Sequence, residues 1–199
     1  MLVFTNQNLV LLAVPKTGTT ALHRALSPIA SMSFRDPPGI KHASYARYRR
    51  FVRPICKHIH DCDPEVVSVI RHPIDWLSSW YRYRYRDKIV GKPKSTRDVT
   101  FDQFVIEYCK GKPATFANVG SQANFVFDND GEQVVDYVFR YEKQPVLIDF
   151  LEDRLEIEIK LDTVNVSPSM EVEASKATIA RLEKRRPQEF EAWEAARAS

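Results

Sequence analysis

The stretch Val14-Pro15-Lys16-Thr17-Gly18-Thr19-Thr20 puts a lysine, three hydroxyls and a glycine between an apolar run, Leu9 to Val14, and a helical pattern, Ala21 to Leu26. A strand that turns through such residues into a helix makes an anion site. The first N–H groups of a helix lack intrahelical partners, and the macrodipole places partial positive charge there. Lys16 adds a full charge and the threonines add donors without bulk, so the spacing points to a bound phosphate. The stretch departs from the Walker A pattern G-x-x-x-x-G-K-[ST] in two places. Ala13 stands at the first glycine position and Thr19 at the lysine position, while Lys16 lies before Gly18 instead of after it.

A second cationic position follows the β-branched run Val66 to Ile70, which reads as a buried parallel strand. The run ends in Arg71-His72-Pro73, and helical spacing resumes with Ile74, Trp76, Leu77, Trp80 and Tyr81. Pro73 suits a first helical turn, so Arg71 stands at the carboxyl end of the strand, the edge where α/β sheets bind ligands. Ser79 lies about two turns beyond it. A kinase or NTPase would place a Mg²⁺-holding Asp at a later strand end; an arginine there repels a metal and attracts phosphate. Two cationic phosphate sites without a metal carboxylate suggest a nucleotide with phosphates at both ends.

The elements that must position these groups alternate between strand and helix. Ile29 to Phe34 reads as a short strand closed by Arg35-Asp36-Pro37-Pro38-Gly39, and Tyr45, Tyr48, Phe51, Val52 and Ile55 mark a basic helix with Arg47, Arg49, Arg50 and Arg53 toward water. The helix after Arg71 continues through Tyr81-Arg82-Tyr83-Arg84-Tyr85-Arg86, with arginines expected to reach a cleft. Residues 88–99 read as a loop, and Thr100 with Gln103 forms a capping box for a helix over Phe101 to Cys109. Val134 to Tyr141 reads as a strand, then a helix runs to about Leu155, Ile157 to Leu161 is a last short strand, and a helical tail from Glu171 breaks at Pro187. This alternation predicts a three-layer α/β fold, its mainly parallel sheet flanked by helices.

At this point the sequence resembles the sulfotransferases that use 3′-phosphoadenosine 5′-phosphosulfate (PAPS). Pro15-Lys16-Thr17-Gly18-Thr19-Thr20 is similar to that family's 5′-phosphosulfate loop, and Arg71-His72-Pro73 with Ser79 to its 3′-phosphate site. Arg140-Tyr141-Glu142 resembles a third recurring element, and Asn165-Val166-Ser167-Pro168 is more weakly similar to the C-terminal region of carbohydrate sulfotransferases. The resemblance implies a nucleotide-binding fold of the P-loop type and PAPS as sulfuryl donor, with no metal. It implies that Lys16, Thr17, Gly18, Thr19, Thr20, Arg71, Ser79 and Tyr141 bind the nucleotide, Tyr141 near the adenine. In this family's mechanism Lys16 stabilises the leaving phosphate. His42, after the proline loop, is the expected general base, since family members often place a catalytic His or Glu there. The acceptor is expected to be a hydroxyl on a carbohydrate or small molecule, an anionic saccharide suiting the surplus arginines. A nucleotide kinase-like enzyme and a non-enzymatic polyanion-binding protein are the alternatives.

Composition sets the remaining bounds. The chain has 199 residues, 44% hydrophobic and 28% charged, which suits one α/β domain over residues 1–199. A net charge of +3 decides little, but Lys and Arg cluster between residues 41 and 97. No nucleic-acid partner is expected, since alternating Arg and Tyr scatter around a helix. No apolar stretch reaches the ~18 residues of a membrane span, and no basic segment precedes the first apolar run, so a cytoplasmic protein is expected. Cys56, Cys62 and Cys109 read as reduced thiols. The Cys56–Cys62 segment lacks the spacing of a zinc site.

Overall fold

Apolar residues alternating between two faces define the sheet around which the chain folds. The computed structural model describes residues 1–161 and 170–197. Among these, the strands are β1 (Leu2–Phe4), β2 (Leu9–Leu11), β3 (Met32–Ser33), β4 (Glu65–Ile70) and β5 (Tyr137–Arg140), in the order β3-β1-β2-β4-β5. β2 pairs in parallel with β4, and β4 with β5. β1 is antiparallel to both β2 and β3.

The sheet is therefore mixed, which corrects the expectation of a mainly parallel one. The reason lies in the first residues. A turn at Thr5–Asn8 reverses the chain, with Asn8 N–H donating to Thr5 O at 3.2 Å and Asn8 at φ 52°. Asn tolerates that left-handed conformation, and so short a connection can join only antiparallel neighbours. The tripeptide before the turn is too short to show alternation, so only the run after it reads as a strand. The expected strand at Ile157 to Leu161 also fails to form. The free edge of β5 is taken instead by the segment at Arg197, whose N–H donates to Val138 O at 2.8 Å and whose carbonyl accepts from Arg140 N at 3.2 Å.

The helices are α1 (Thr19–Leu26), α2 (Pro38–Lys41), α3 (Tyr45–Phe51), α4 (Arg53–Ile59), α5 (Pro73–Arg84), α6 (Phe101–Tyr108), α7 (Gln144–Leu155), α8 (Lys176–Arg185) and α9 (Pro187–Glu194). The single basic helix expected from Tyr45 is two, because Pro54 has no N–H and its ring crowds the preceding turn. On one face of the sheet Leu9, Leu11, Val67, Val69 and Phe139 pack against Leu22 and Leu26 of α1 and Leu147, Leu151 and Leu155 of α7. On the other, Val10, Val66, Ile70 and Val138 meet Tyr48 of α3, Cys56 of α4 and Ala192 of α9. Each Val, Leu, Ile or Phe side chain so buried contributes about 1.5–3 kcal/mol. A third cluster, off the sheet, joins Trp76, Leu77 and Tyr81 of α5 to Phe101, Phe104 and Tyr108 of α6 and Leu182 of α8. No helix among the described residues is long and apolar enough to cross a membrane.

The capping box of α6 is present in both directions: Gln103 N–H donates to Thr100 Oγ1 at 3.2 Å, and Thr100 N–H to Gln103 Oε1 at 2.8 Å. Thr100→Ala removes the first bond and is expected to lower stability by about 1 kcal/mol. A urea titration in which the midpoint falls while the slope stays constant checks this.

Candidate functional site

Because β2, β4 and β5 are adjacent and parallel, their carboxyl ends share one edge of the sheet. That edge carries the loop at Val14–Gly18, then Arg71 and His72, then Tyr141 and Glu142. The sequence spreads these residues over more than a hundred positions, and the topology brings them together.

The loop turns through two left-handed residues, Lys16 at φ 70° and Gly18 at φ 72°, before α1 begins at Thr19. Thr17 is buried and its hydroxyl donates to Val14 O at 2.9 Å, which closes the turn from inside. Thr19 is buried and Thr20 half-buried in the first turn, where N–H groups lack intrahelical acceptors. At Gly18 a Cβ would stand 3.2 Å from Cε2 of Tyr141, so the ring lies directly against the glycine. The Arg71 guanidinium sits 4.8 Å from the same ring centroid. Tyr141 thus touches both expected phosphate sites.

α5 lines the loop with one face. Trp76 Nε1 donates to Pro15 O at 2.9 Å, and Lys16 Nζ lies 4.6 Å from the Tyr83 ring and 5.9 Å from that of Trp80. Ser79 is buried one turn beyond Trp76, on this same side of the helix. Of the arginines in α5, Arg84 is buried and donates to the carbonyls of Thr115, Phe116 and Asn118, so it braces a loop instead of reaching a cleft. Arg82 donates to Met170 O at 3.3 Å, and Arg86, just past α5, stacks 4.7 Å from the Tyr83 ring.

Burial, followed by repulsion from Arg86, Arg71 and Arg82, lowers the Lys16 pKa from 10.5 to about 8. The contacts with Tyr83 and Trp80 act in the opposite sense, because ring faces attract a cation. A cation–π pair contributes about 0.5–2 kcal/mol, whereas the depression corresponds to about 3 kcal/mol, so desolvation and repulsion win. Among the described residues, Lys16, Arg71, Arg82 and Arg86 make no ion pair. Among the described residues, Asp75 is the one acidic neighbour whose field reaches Arg82. Arg71 Nε and Trp80 Nε1 are buried and have no hydrogen-bond partner among the described residues.

His42 follows α2, and its Nδ1 lies 2.6 Å from Ala13 O. A carbonyl only accepts, so Nδ1 carries the proton and Nε2 is left as the basic nitrogen. Burial first, with the neighbouring Lys41 and amino-terminal charges, lowers the His42 pKa, and the bond to Ala13 only partly offsets this. The ring is therefore neutral near pH 7. His72 turns away from the loop, packing edge-on against Trp193 at 4.9 Å.

Sequence reasoning missed Trp76, Trp80 and Tyr83, although their spacing of four and three marks one helical face. It also missed Gln122 and Glu189, which have no local signal, and gave no role to Glu142 within Arg140-Tyr141-Glu142. Asn165-Val166-Ser167-Pro168 lies outside the described residues. Among those residues no group of three or more His, Cys, Asp or Glu is placed to hold a metal ion. A groove of about 270 Å³ lined by Ala25, Leu26, Ile157, Glu158, Ile159 and Lys160 sits at the far end of α1 from Gly18, away from the cations. No family model, curated protein or solved structure matches the chain.

Lys16 is expected to cost stability. Its folded pKa of about 8 lies below the unfolded 10.5, so between those values the unfolded chain binds the extra proton and stability rises with pH. The penalty is fully present below pH 8. Lys16→Met should therefore raise unfolding free energy by about 1–3 kcal/mol at pH 7, a gain that vanishes above about pH 10.5. Denaturant titrations of both proteins at pH 7 and pH 10 check this, and an equal difference at the two values would refute it.

Proposed function

We propose that the chain is a PAPS-dependent sulfotransferase that moves a sulfuryl group to a hydroxyl of a carbohydrate or small molecule, on a nucleotide-binding scaffold of the P-loop type. The observation that carries this reading is the set of four cations formed by Lys16 and Arg71 at the carboxyl edge of β2 and β4 with Arg82 and Arg86 at the end of α5, without an ion-pair partner among the described residues. Like charges gathered at that cost fit a polyanionic ligand. The residues present suit a nucleotide with two phosphate groups. Arg71 brings a buried Nε, unpaired among the described residues, to the Tyr141 ring, and Gly18, between Lys16 and the start of α1, lies against the same ring.

PAPS, when bound, supplies a sulfuryl group on a phosphate leaving group. In this reading Arg71 holds the 3′-phosphate, and the N–H groups of Gly18 to Thr20 hold the 5′ end. Lys16 places its charge where the leaving oxygen becomes negative, which is worth most in a partly desolvated site. Nε2 of His42, left as the basic nitrogen by the Nδ1–Ala13 bond in a ring that burial keeps neutral, takes the proton of the acceptor hydroxyl. Arg86, Lys88, Lys92 and Lys94, beyond α5, suit an anionic saccharide as acceptor. Three free thiols, Cys56, Cys62 and Cys109, suit a reducing, cytoplasmic setting.

The direct test follows melting temperature with 3′,5′-adenosine bisphosphate (PAP) and with ATP, each with and without Mg²⁺. Metal-independent stabilisation by PAP, exceeding that by ATP, is expected. The opposite order overturns the reading in favour of a kinase-like enzyme, and equal responses to any polyanion favour a simple polyanion binder. Arg71→Ala should weaken PAP about tenfold or more. His42→Ala should leave PAP binding intact and slow transfer by about a hundredfold or more.

The pH dependence has a fixed sign. A bound anion raises the Lys16 pKa above its value of about 8, so binding above that pH requires proton uptake. PAP affinity should fall about tenfold between pH 7 and pH 9 in calorimetric titrations, and this fall should be absent in Lys16→Met.

A further inference from the structure

Arg71 is the first residue after β4, where the strand ladder no longer holds the chain. Its backbone is nevertheless saturated by one side chain. Gln122 Oε1 accepts from Arg71 N–H at 3.0 Å, and Gln122 Nε2 donates to Arg71 O at 2.9 Å. A primary amide offers a donor and an acceptor side by side, so it satisfies both backbone groups of one residue as a neighbouring strand would. Gln122 is fully buried.

Gln122 is held in turn by α9. Its backbone N–H donates to Glu189 Oε2 at 3.1 Å, and the Tyr108 hydroxyl donates to Glu189 Oε1 at 2.8 Å. Ser121 and the backbone N–H of Ala123 also face this buried carboxyl. The next residue after Arg71 is fixed similarly: His72 N–H donates to Glu142 Oε1 at 2.7 Å, and Glu142 Oε2 accepts from Trp193 Nε1 at 3.2 Å.

The Arg71 side chain is treated in the opposite way. It makes no hydrogen bond among the described residues, Nε is buried without a partner, and its contact is the Tyr141 ring. The origin of the guanidinium is thus fixed while its N–H groups are left for a ligand. A residue that served only to end the strand would have no need of that division.

We propose that Gln122 is a positioning residue for Arg71 and that Glu189 holds Gln122 in place. This rests on the reading of Arg71 as the group that holds the 3′-phosphate. The consequence is selective: loss of the clamp weakens recognition of the 3′-phosphate and spares the 5′ end, which is bound by a different loop.

The test compares PAP with adenosine 5′-monophosphate, which lacks the 3′-phosphate, by calorimetry on wild type, Gln122→Asn, Arg71→Ala and the double variant. Gln122→Asn keeps the amide and withdraws it by one methylene. It is expected to lower PAP affinity about tenfold while affinity for the monophosphate stays within about twofold. In the Arg71→Ala background it should add nothing, the signature of two residues acting through one contact. Glu189→Gln, which preserves volume, should lower the same PAP-to-monophosphate ratio without abolishing folding, as thermal unfolding reports. A parallel fall for both ligands, or a ratio that Gln122→Asn leaves unchanged, overturns the inference. A wild-type ratio of one removes the role of Arg71 and this inference with it. A high wild-type ratio untouched by Gln122→Asn overturns the inference alone.

Discussion

Repulsion among like charges is the constraint on which this edge of the molecule depends. Lys16 feels Arg71, Arg82 and Arg86 strongly enough, on top of burial, to lose most of its usual basicity. Charges so placed stay together only if the chain around them is held by other means. The means here are aromatic rings over the cations, carbonyls accepting from arginines, and side-chain amides and carboxyls fastened to backbone. The Tyr83 ring contacts both Lys16 and Arg86, and the Tyr141 ring contacts both Gly18 and Arg71. Each cation–ring contact contributes about 0.5–2 kcal/mol.

The scaffold divides into parts with different duties. Parallel strands β2, β4 and β5 bring three loops to one edge, and α1 and α7 cover one face while α3, α4 and α9 cover the other. The antiparallel strands β1 and β3 extend the sheet on the other side of β2; β1 is buried core, and the chain leaving β3 runs through α2 to His42. α5 belongs to both the satellite core and the edge. Leu77 and Tyr81 face inward, while Trp76, Trp80 and Tyr83 run along Pro15 and Lys16. α9 fastens the exit of β4 from the far end of the chain, through Glu189 to Gln122 and through Trp193 to Glu142. A chain closed in this way transmits packing of its last helix to the backbone of Arg71.

Much of this was legible before folding. The turn at Lys16 to Thr20, the strand ending in Arg71 and the helix after Pro73 each carry a local signature: a change of hydrophobic period, a proline in a first turn, a left-handed glycine. The capping box at Thr100 and the break at Pro187 are equally local. β1 was not legible, since three residues show no period. Nor was the bridge of Arg197 to the free edge of β5, since it joins residues more than fifty positions apart.

The sequence by itself determined which groups are available: a lysine and glycine between strand and helix, an arginine at a strand end, a histidine after a proline loop. These are properties of residue type and short-range spacing, which backbone sterics and helix termini read directly. Only the tertiary structure decided how those groups behave. It set the His42 tautomer through Ala13, depressed Lys16 by burial beside three arginines, and engaged the Thr17 hydroxyl with Val14. It also gave Arg71 a backbone clamp from a glutamine 51 positions away. Charge, desolvation and hydrogen-bond saturation depend on what lies within a few ångströms in space, and no window along the chain contains that information. The strand-to-helix turn at Lys16 was therefore visible in the sequence, whereas the repulsion on its lysine, unpaired among the described residues, belongs to the fold.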